Sequence, residues 1–187
     1  MKNYRIFNNA KVVMAALAMG AMATACPDWD DHYEANSSVT GSSSATLWEN
    51  ISANANLSEF ALLAKKTGYD KVLQSSQTFT VWAPLNGTFD FETLNNSDVT
   101  ELTNEFMRNH VARFSYPASG PVNERVFMLN EKMNIFQGND TYQMGDVKLQ
   151  DINIASSNGT MHTIDGKLDF NYNIFESLNT KTYALDS

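Results

Sequence analysis

The chain has 187 residues, of which 43% are hydrophobic and 18% are charged, a composition that fits one globular domain with a leader. Its formal net charge is −8, and because an acidic surface repels phosphate backbones, nucleic acid is a poor partner. Cys26 is the only cysteine in the sequence, which excludes a framework of intrachain disulfides.

The first 25 residues have the features of an export signal. Lys2, Arg5 and Lys11 precede an apolar run from Val12 to Ala25. That run has about 14 residues and is too short to span a bilayer, which needs roughly 20. A basic start, a short apolar segment and small residues at its end are typical of a secretory signal peptide.

The residues just before Cys26 allow two processing outcomes. Ala23-Thr24-Ala25 fits an ordinary cleavage site, which would give a soluble secreted protein with a free thiol. The same residues resemble a relaxed bacterial lipobox, although Ala23 stands where leucine is more usual. We predict that residues 1–25 are a lipoprotein signal peptide and that an acylated Cys26 anchors the chain in a lipid bilayer.

Residues 26–45 are predicted to be an acidic, serine-rich tether. Four carboxylates near Cys26 resemble the export signal of surface lipoproteins in Bacteroides-like bacteria: Asp28, Asp30, Asp31 and Glu34. The alternative is a solvated acidic tether without a sorting role. Asn36 to Ala45 is rich in serine and lacks large apolar residues, so we expect a flexible linker. These features predict a lipid-anchored protein of the cell envelope, exposed on the surface of the outer membrane.

The folded part begins with helical patterns. Leu47, Trp48 and Ile51 predict a short first helix. Asn56 with Glu59 three places later is typical of a capping box, which predicts the start of a second helix. Gly68 stands where that helix would end, and Tyr69, Val72 and Leu73 predict one more short helix.

Phe79 to Phe89 contains a strand signal followed by a turn. Phe79, Val81 and Ala83 alternate with Thr80, Trp82 and Pro84, as in a strand with two different faces. Pro84 removes a hydrogen-bond donor from the ladder and ends the strand. We expect Asn86 to cap a short helical turn and Phe89 to fold back on the core.

The rest of the folded part contains one helix and then several short strands. Asp98 and Glu101 suit a helix start, and His110 completes an apolar stripe with Val99, Leu102 and Phe106. Beyond Pro117 the period changes to two, which predicts strands at 126–129, 133–136, 141–144, 147–149 and 152–154. Gly138-Asn139-Asp140 and Asn158-Gly159 are turn signals. Helices followed by strands, without a βαβ rhythm, indicate the α+β class.

Two stretches of the folded part resemble the two sequence boxes of fasciclin-like domains. The first runs from Phe79 to Phe89 and the second from Asn158 to Gly166. The residues that carry the resemblance are Thr80, Val81, Ala83, Pro84, Asn86, Phe89, Asn158, Gly159, His162, Ile164, Asp165 and Gly166, with His110 between the boxes. The resemblance implies a single domain over residues 46–170, folded as a β-wedge of two sheets flanked by short helices.

One position departs from that family's pattern. Family members often have Tyr-His between the boxes, at a site linked to receptor adhesion in animal proteins. This chain has Asn109-His110 there, so that adhesive role is not carried over.

Motifs for catalysis and metal binding are missing from the sequence. It has no nucleophile elbow, no dinucleotide-binding turn and no phosphate loop. We expect His110 and His162 to be hydrogen-bonded to backbone, with a ligand or metal contact as the alternative. Asp165, before Gly166, is expected to form a turn and to tie down local N–H groups with its side chain. We therefore predict a protein that is not an enzyme and has neither cofactor nor metal.

Residues 171–187 form a C-terminal tail. Ile174 to Leu178 echoes the pattern of Leu47 to Ile51, and family members often have tandem domains. The tail is either the start of a truncated second domain or a terminal helix that packs on the first.

Taken with the resemblance, these features predict an adhesion or binding module on the cell envelope, with a protein or a glycan as its ligand. The alternative is a structural accessory subunit that docks onto another envelope complex. The sequence identifies neither the ligand nor the oligomeric state.

Overall fold

The computed structural model describes residues 43–173 and residue 177. The predicted signal peptide, Cys26, the four acidic residues of the tether and most of the tail lie outside these residues. The described chain contains short helices, two sheets and the turns between them, which confirms the α+β prediction.

Along the chain, short helices precede and follow the first strand. Before it come α1 (Leu47–Ala53), a 3-10 turn (Ala55–Leu57), α2 (Ser58–Lys66) and α3 (Tyr69–Gln74). After β1 (Phe79–Pro84) come α4 (Phe91–Asn96) and α5 (Val99–Glu101), which continues as a π turn (Leu102–Phe106) and a 3-10 turn (Met107–Asn109).

Seven further strands complete two four-stranded sheets. The strands are β2 (Val111–Arg113), β3 (Val122–Phe127), β4 (Met133–Gly138), β5 (Tyr142–Met144), β6 (Val147–Lys148), β7 (Ile154–Ser156) and β8 (Gly159–Ile164). The first sheet has the order β2-β1-β8-β7 and the second has the order β3-β4-β5-β6. The pairs are antiparallel except β1 with β8, a parallel pair that the sequence pattern did not indicate.

Strand β1 separates two hydrophobic cores. Phe79, Val81 and Ala83 pack into a core formed with the helices, which we call the helical core. Trp82 packs on the opposite side with Phe136 of the second sheet, in what we call the sheet core. All six residues of β1 are buried, so the predicted alternation of two faces is confirmed and both faces are covered.

A capping box lies at the start of α1, whereas one was predicted at Asn56 and Glu59. The Thr46 side chain accepts a hydrogen bond from the Glu49 backbone N–H, and the Glu49 carboxylate accepts one from the Thr46 N–H. These two bonds satisfy two donors that the first turn of a helix leaves free. The capping box predicted for Asn56 and Glu59 is wrong, because α2 begins at Ser58 and the Glu59 carboxylate instead accepts from the Gly87 N–H.

Two other predictions about helix ends were tested by the backbone. Gly68 has φ +75°, which favours glycine, and it follows the last residues of α2 as predicted. Asp98 caps α5 by accepting from the Thr100 and Glu101 N–H groups, also as predicted. Helix α4, whose start is capped by Asp90, and the three-residue strand β2 were not predicted.

Candidate functional site

The two stretches that resemble family boxes lie side by side as β1 and β8 at the centre of the first sheet. Phe79 is opposite Gly159, and Pro84 is opposite Ile164. The box residues Thr80, Val81, Ala83 and Ile164 are fully buried. These residues therefore build the scaffold of the domain and present no surface to a ligand.

Asn158 and Gly159 join the second box to the helices. The Asn158 side chain accepts from the Leu47 N–H at 2.8 Å and donates to the backbone oxygens of Leu73 at 2.9 Å and Ser75 at 2.6 Å. Gly159 has φ +151°, and a Cβ there would overlap the carbonyl oxygen of Phe79. Asparagine and glycine are thus both required by local geometry, at the predicted tight hairpin between β7 and β8.

Asn86 caps a helix, but not the one after it. Its Oδ1 accepts from the Glu59 N–H at 3.0 Å, and its Nδ2 donates to the Ala55 carbonyl oxygen at 2.9 Å. The prediction that Asn86 caps its own turn is therefore wrong: it caps α2, which lacks a capping side chain from its own preceding residue. Phe89 packs on the helical core, with its ring 5.5 Å from that of Phe106.

His110 is fully buried and links two segments of backbone. Its Nδ1 lies 2.7 Å from the Phe106 carbonyl oxygen, and its Nε2 accepts from the Leu168 N–H at 2.9 Å. A carbonyl can only accept, so Nδ1 carries the proton and the ring is neutral. Burial lowers the pKa of His110 to about 4, against the hydrogen bond to Phe106, which raises it.

His162 is buried in the sheet core and is also bonded through both ring nitrogens. Nε2 lies 2.9 Å from the Tyr116 carbonyl oxygen, and Nδ1 accepts from the Asn153 N–H at 3.2 Å. Burial lowers the pKa of His162 to about 4, while the bond to Tyr116 raises it. Because backbone groups occupy all four ring nitrogens of His110 and His162, neither side chain has a free nitrogen for a metal or a ligand.

Asn109, the residue that departs from the family's Tyr-His pair, has a structural role in this chain. It is fully buried, and its Nδ2 donates to the carbonyl oxygens of Leu168 and Asp169. Its Oδ1 accepts from the Asn130 amide at 3.0 Å. Asn109 and His110 therefore fasten the segment after β8 to the helical side of the domain.

The last two box residues lie at the end of β8. Asp165 is exposed, and its carboxylate accepts from the Gln150 amide at 3.4 Å, with no bond to a neighbouring backbone N–H among the described residues. The chain bends at Asp165 and Gly166 as expected, but the expectation that the Asp165 side chain ties down local N–H groups is wrong. Gly166 has φ +143°, a conformation that favours glycine.

Neither a metal cluster nor a spanning helix is found in the part of the chain that the structure describes. No three side chains among His, Cys, Asp and Glu come together there in a way that could hold a metal ion. None of its helices is both long enough and apolar enough to cross a bilayer.

The second sheet, in contrast, has one face open to solvent. Phe136 of β4 is fully buried, so its neighbours Ile135 and Gln137 point to the opposite side of the sheet. On that side, Phe127 is opposite Met133 and Arg125 is opposite Ile135. We call this surface the outer face; its residues on β3 and β4 are Asn123, Arg125, Phe127, Met133, Ile135 and Gln137.

Large apolar side chains lie on the outer face, and two clefts border it. Phe127 is 65% exposed, Met133 46% and Ile135 41%. A cleft of about 330 Å³ adjoins Met133 and Ile135, and a second of about 330 Å³ is lined by polar side chains that include Asn123, Gln137 and Gln143. Gln137 borders both clefts, so the outer face combines an apolar end with an amide-rich end.

The outer face was not predicted from the sequence. A signal was present, because apolar residues occupy successive positions at Val126-Phe127 and at Ile135-Phe136. A strand covered on one side needs apolar residues only at alternate positions, so the extra ones mark an exposed apolar surface.

Comparisons with known proteins bear on the fold. The family model described as the fasciclin domain matches residues 55–169. No curated protein matches this chain.

One similar solved structure is titled "Novel Fold Revealed by the Structure of a FAS1 Domain Pair from the Insect Cell Adhesion Molecule Fasciclin I". The TM-score is 0.51 at 16% sequence identity, and the match covers 66% of this chain and 50% of that chain. This chain thus spans half the length of that domain pair, and the likeness extends to the fold.

Proposed function

This chain belongs to the fasciclin domain family, and on that basis we propose that it is a non-enzymatic adhesion or binding module which uses the outer face of its second sheet. Fasciclin domains are adhesion and binding modules, and the family is generally non-enzymatic. The ligand on this proposal is a protein or a glycan.

The observation that carries the proposal is the contrast between the two faces of β4. Its inward residue Phe136 is in the sheet core, while Met133 and Ile135 on the same strand lie in solvent beside Phe127. Contiguous exposed apolar residues bordered by polar ones are typical of interaction sites, whereas isolated ones are ordinary. The amides of Asn123, Gln137 and Gln143 add donors and acceptors beside that apolar area, which suits either class of ligand.

We further propose that the module is displayed from a membrane. Support comes from the sequence alone: the short apolar segment before Cys26, the acidic residues after it and the serine-rich linker. Acylation by more than one chain gives stable anchoring without a spanning helix. Replacing Cys26→Ala should move the protein from the membrane fraction to the soluble fraction, and retention in the membrane would contradict the anchor.

Display can be tested by treating intact cells with a protease and detecting the domain by immunoblotting, with a periplasmic protein as the control. Digestion of the domain while the control survives supports a surface position. Survival until the cells are opened places it inside, and an accessory role in an envelope complex then becomes the better proposal.

Binding through the outer face can be tested with a paired variant of Phe127→Ser and Ile135→Ser. We expect binding to an immobilised matrix protein or polysaccharide, where wild type binds, to fall about tenfold or more, because aromatic and apolar anchors dominate interface energies. The matched control is Leu62→Ser, since Leu62 is 55% exposed on the helical side. Equal loss in both variants, or none in the pair, would show that the outer face is not the binding surface.

A further inference from the structure

The outermost strands of the two sheets differ in how their open edges are covered. Strand β2 is covered because the Val111 carbonyl oxygen accepts from a backbone N–H of the hairpin that follows β3, at 2.8 Å. Strand β7 is covered by a side chain, since Asn50 Nδ2 donates to the Ala155 carbonyl oxygen at 3.1 Å. In β6, the Lys148 carbonyl oxygen accepts from the Asp165 N–H at 3.0 Å. The remaining outermost strand is β3.

Strand β3 has backbone groups that point away from its only neighbour in the sheet. In an antiparallel pair, every second residue bonds to the neighbouring strand. The Met128 N–H donates to the Lys132 carbonyl oxygen just beyond β3, so the even-numbered residues of β3 bond to β4. The Ile135 carbonyl oxygen accepts from the N–H that follows β5, which requires the same alternation. The N–H and C=O groups of Asn123 and Arg125 therefore point outward, and no other described residue bonds to them.

We call these four backbone groups the free edge of β3. Asn123, Glu124 and Arg125 are all exposed, so another molecule can reach the free edge. It ends before Met128, which is bridged to Ala112 of β2. Donors and acceptors that alternate along an extended strand match the backbone of a second extended chain, which carries the same alternation. A glycan has hydroxyl groups but no such repeating pair of donor and acceptor.

Side chains along the free edge carry opposite charges on opposite sides of the strand. Arg125 lies on the outer face, opposite Ile135 in the ladder, and Glu124 lies on the other side of β3. Neither residue forms an ion pair with another described residue. A chain that pairs with the free edge therefore meets a cation at one position and a carboxylate at the next.

These charges oppose pairing between two copies of β3. Because only Asn123 and Arg125 have free backbone groups, antiparallel copies can bond Arg125 either to Arg125 or to Asn123 of the other copy. The first register places two guanidinium groups opposite each other, and the second places Glu124 opposite Glu124. Like charges directly opposite are destabilising in both registers. A partner with the reverse order of charges has no such repulsion.

We propose that the free edge of β3 binds an extended segment of a partner protein, which joins the second sheet as an antiparallel strand. In this pairing the segment has an acidic residue opposite Arg125 and, next in its sequence, a basic residue opposite Glu124. Backbone hydrogen bonds provide affinity, and the two charge pairs provide the choice of partner. This inference rests on the binding function proposed above, and it names a protein segment as the ligand at one edge of the outer face.

The pairing can be tested with the peptide Thr-Val-Asp-Lys-Thr-Val, titrated into the isotope-labelled full chain and followed by NMR. Its Asp and Lys are meant to lie opposite Arg125 and Glu124. Few backbone bonds form, so we expect weak binding that shifts the amide signals of Asn123 and Arg125 and slows their hydrogen exchange. Shifts confined to residues away from the free edge would overturn the proposal.

Two N-methylated forms of the peptide are matched controls with the same side chains. Methylation of the Asp nitrogen removes the donor to the Arg125 carbonyl oxygen, so affinity should fall about tenfold or more. Methylation of the Lys nitrogen, which points away from β3, should change affinity by no more than about twofold. Equal affinity of the two methylated peptides would contradict an added strand.

Exchanging the charges of the free edge tests the register. The double variant Glu124→Arg with Arg125→Glu should bind the Asp-Lys peptide about tenfold less tightly, and a peptide with Lys-Asp in that place should recover the affinity. Both residues are exposed, so the melting temperature should stay close to that of wild type. A double variant with unchanged preference would contradict the proposed order of charges.

Failure of this inference can be told apart from failure of the proposed function. If no peptide binds the free edge, but Phe127→Ser with Ile135→Ser still weakens binding to a matrix protein or polysaccharide, the added strand alone is refuted. If that paired variant also leaves binding unchanged, both proposals fail.

Discussion

The two sheets of this domain differ in what their side chains contact. In the first sheet, β1 is buried on both faces and the polar residues beside it, such as Asn158 and His162, are bonded to backbone. In the second sheet, β4 is buried on one face only, and Ile135 and Met133 lie in solvent on the other. Residue patterns that are easy to recognise occur in the first sheet, whereas the surface suited to a ligand occurs in the second.

This difference between the two sheets shows that the two sequence boxes encode the fold of the domain. Gly159 is constrained by the close approach of the Phe79 backbone, and Asn158 by three hydrogen bonds of its side chain, so few residue types fit at either position. Residues on the outer face meet water, so the fold places little constraint on them. The boxes identify the fold, and the residues that bind a ligand have to be sought among those that the fold does not constrain.

The largest expected effect is the loss of the hairpin glycine in the first sheet. Gly159→Ala adds a Cβ that overlaps the Phe79 carbonyl oxygen, at a φ of +151° that favours glycine. We expect the free energy of unfolding to fall by about 4 kcal/mol or more, measured by urea denaturation. The control is Gly120→Ala, at φ +61° with no heavy atom within 4 Å, which should cost only about 1–2 kcal/mol. Similar losses would mean that the close approach at Gly159 is relieved by a small shift of β1.

Acid should weaken the domain through its two buried histidines. The pKa values of His110 and His162 are about 4 in the folded state against an ordinary 6.5. The unfolded chain therefore gains protons below pH 6.5 that the native chain does not take up until near pH 4. The free energy of unfolding should be highest above pH 6.5 and should decrease as the pH drops toward 4. The decrease should reach up to roughly 3 kcal/mol for each histidine.

Urea denaturation at intervals between pH 7 and pH 4 measures this loss, and the imidazole NMR signals of the folded protein report the two pKa values directly. A free energy of unfolding that stays constant from pH 6.5 to pH 5 would contradict the buried neutral rings. Carboxylates that cap helices, such as Asp90 and Asp98, have lowered pKa values and contribute only at the acid end of the series.

A smaller loss of stability is expected from a change at Asn86, where the first box contacts the helices. Asn86→Ala leaves the Glu59 N–H and the Ala55 carbonyl oxygen without their side-chain partner. We expect the free energy of unfolding to fall by about 1–2 kcal/mol, in the range of other helix-capping losses. Asn96→Ala is the control, because Asn96 is exposed at the end of α4. Equal stability of both variants would show that water replaces the Asn86 cap.

The smallest expected effect on stability belongs to the outer face. Ile135→Ser and Phe127→Ser should each change the free energy of unfolding by no more than about 0.5 kcal/mol, as is usual for exposed positions. Phe136→Ala, on the buried side of the same strand, should cost about 3–5 kcal/mol in the same urea assay. If Ile135→Ser were as costly as Phe136→Ala, the outer face would be part of the fold and not a free surface.

Local patterns in the sequence predicted much of the fold. Alternation at Phe79 to Pro84 predicted a strand with two different faces, Gly68 the end of α2, and Asp98 the start of α5. Each of these signals depends on neighbours within a few positions. The same holds for the apolar stripe that placed His110 inside the domain.

Predictions that failed depend on partners far away in the chain. Glu59 looked like half of a capping box with Asn56, but its carboxylate bonds Gly87, and Asn86 caps the helix instead. The three-residue strand β2 is too short for periodicity to show. The outer face could not be recognised either, because exposure depends on how the whole domain packs.

The parallel pairing of β1 with β8 determines when the domain can fold. Phe79 and Gly159 are neighbours in the sheet but about 80 positions apart in the chain, and the Leu47–Asn158 bond spans 111 positions. The entropy of closing such long loops is lost before the pairing stabilises anything, which gives a high contact order and slow folding. A chain that emerges from its amino end keeps its first sheet incomplete until β8 has appeared. Folding is then expected to be a single late step, and a chain that ends before β8 is expected to have no stable folded part.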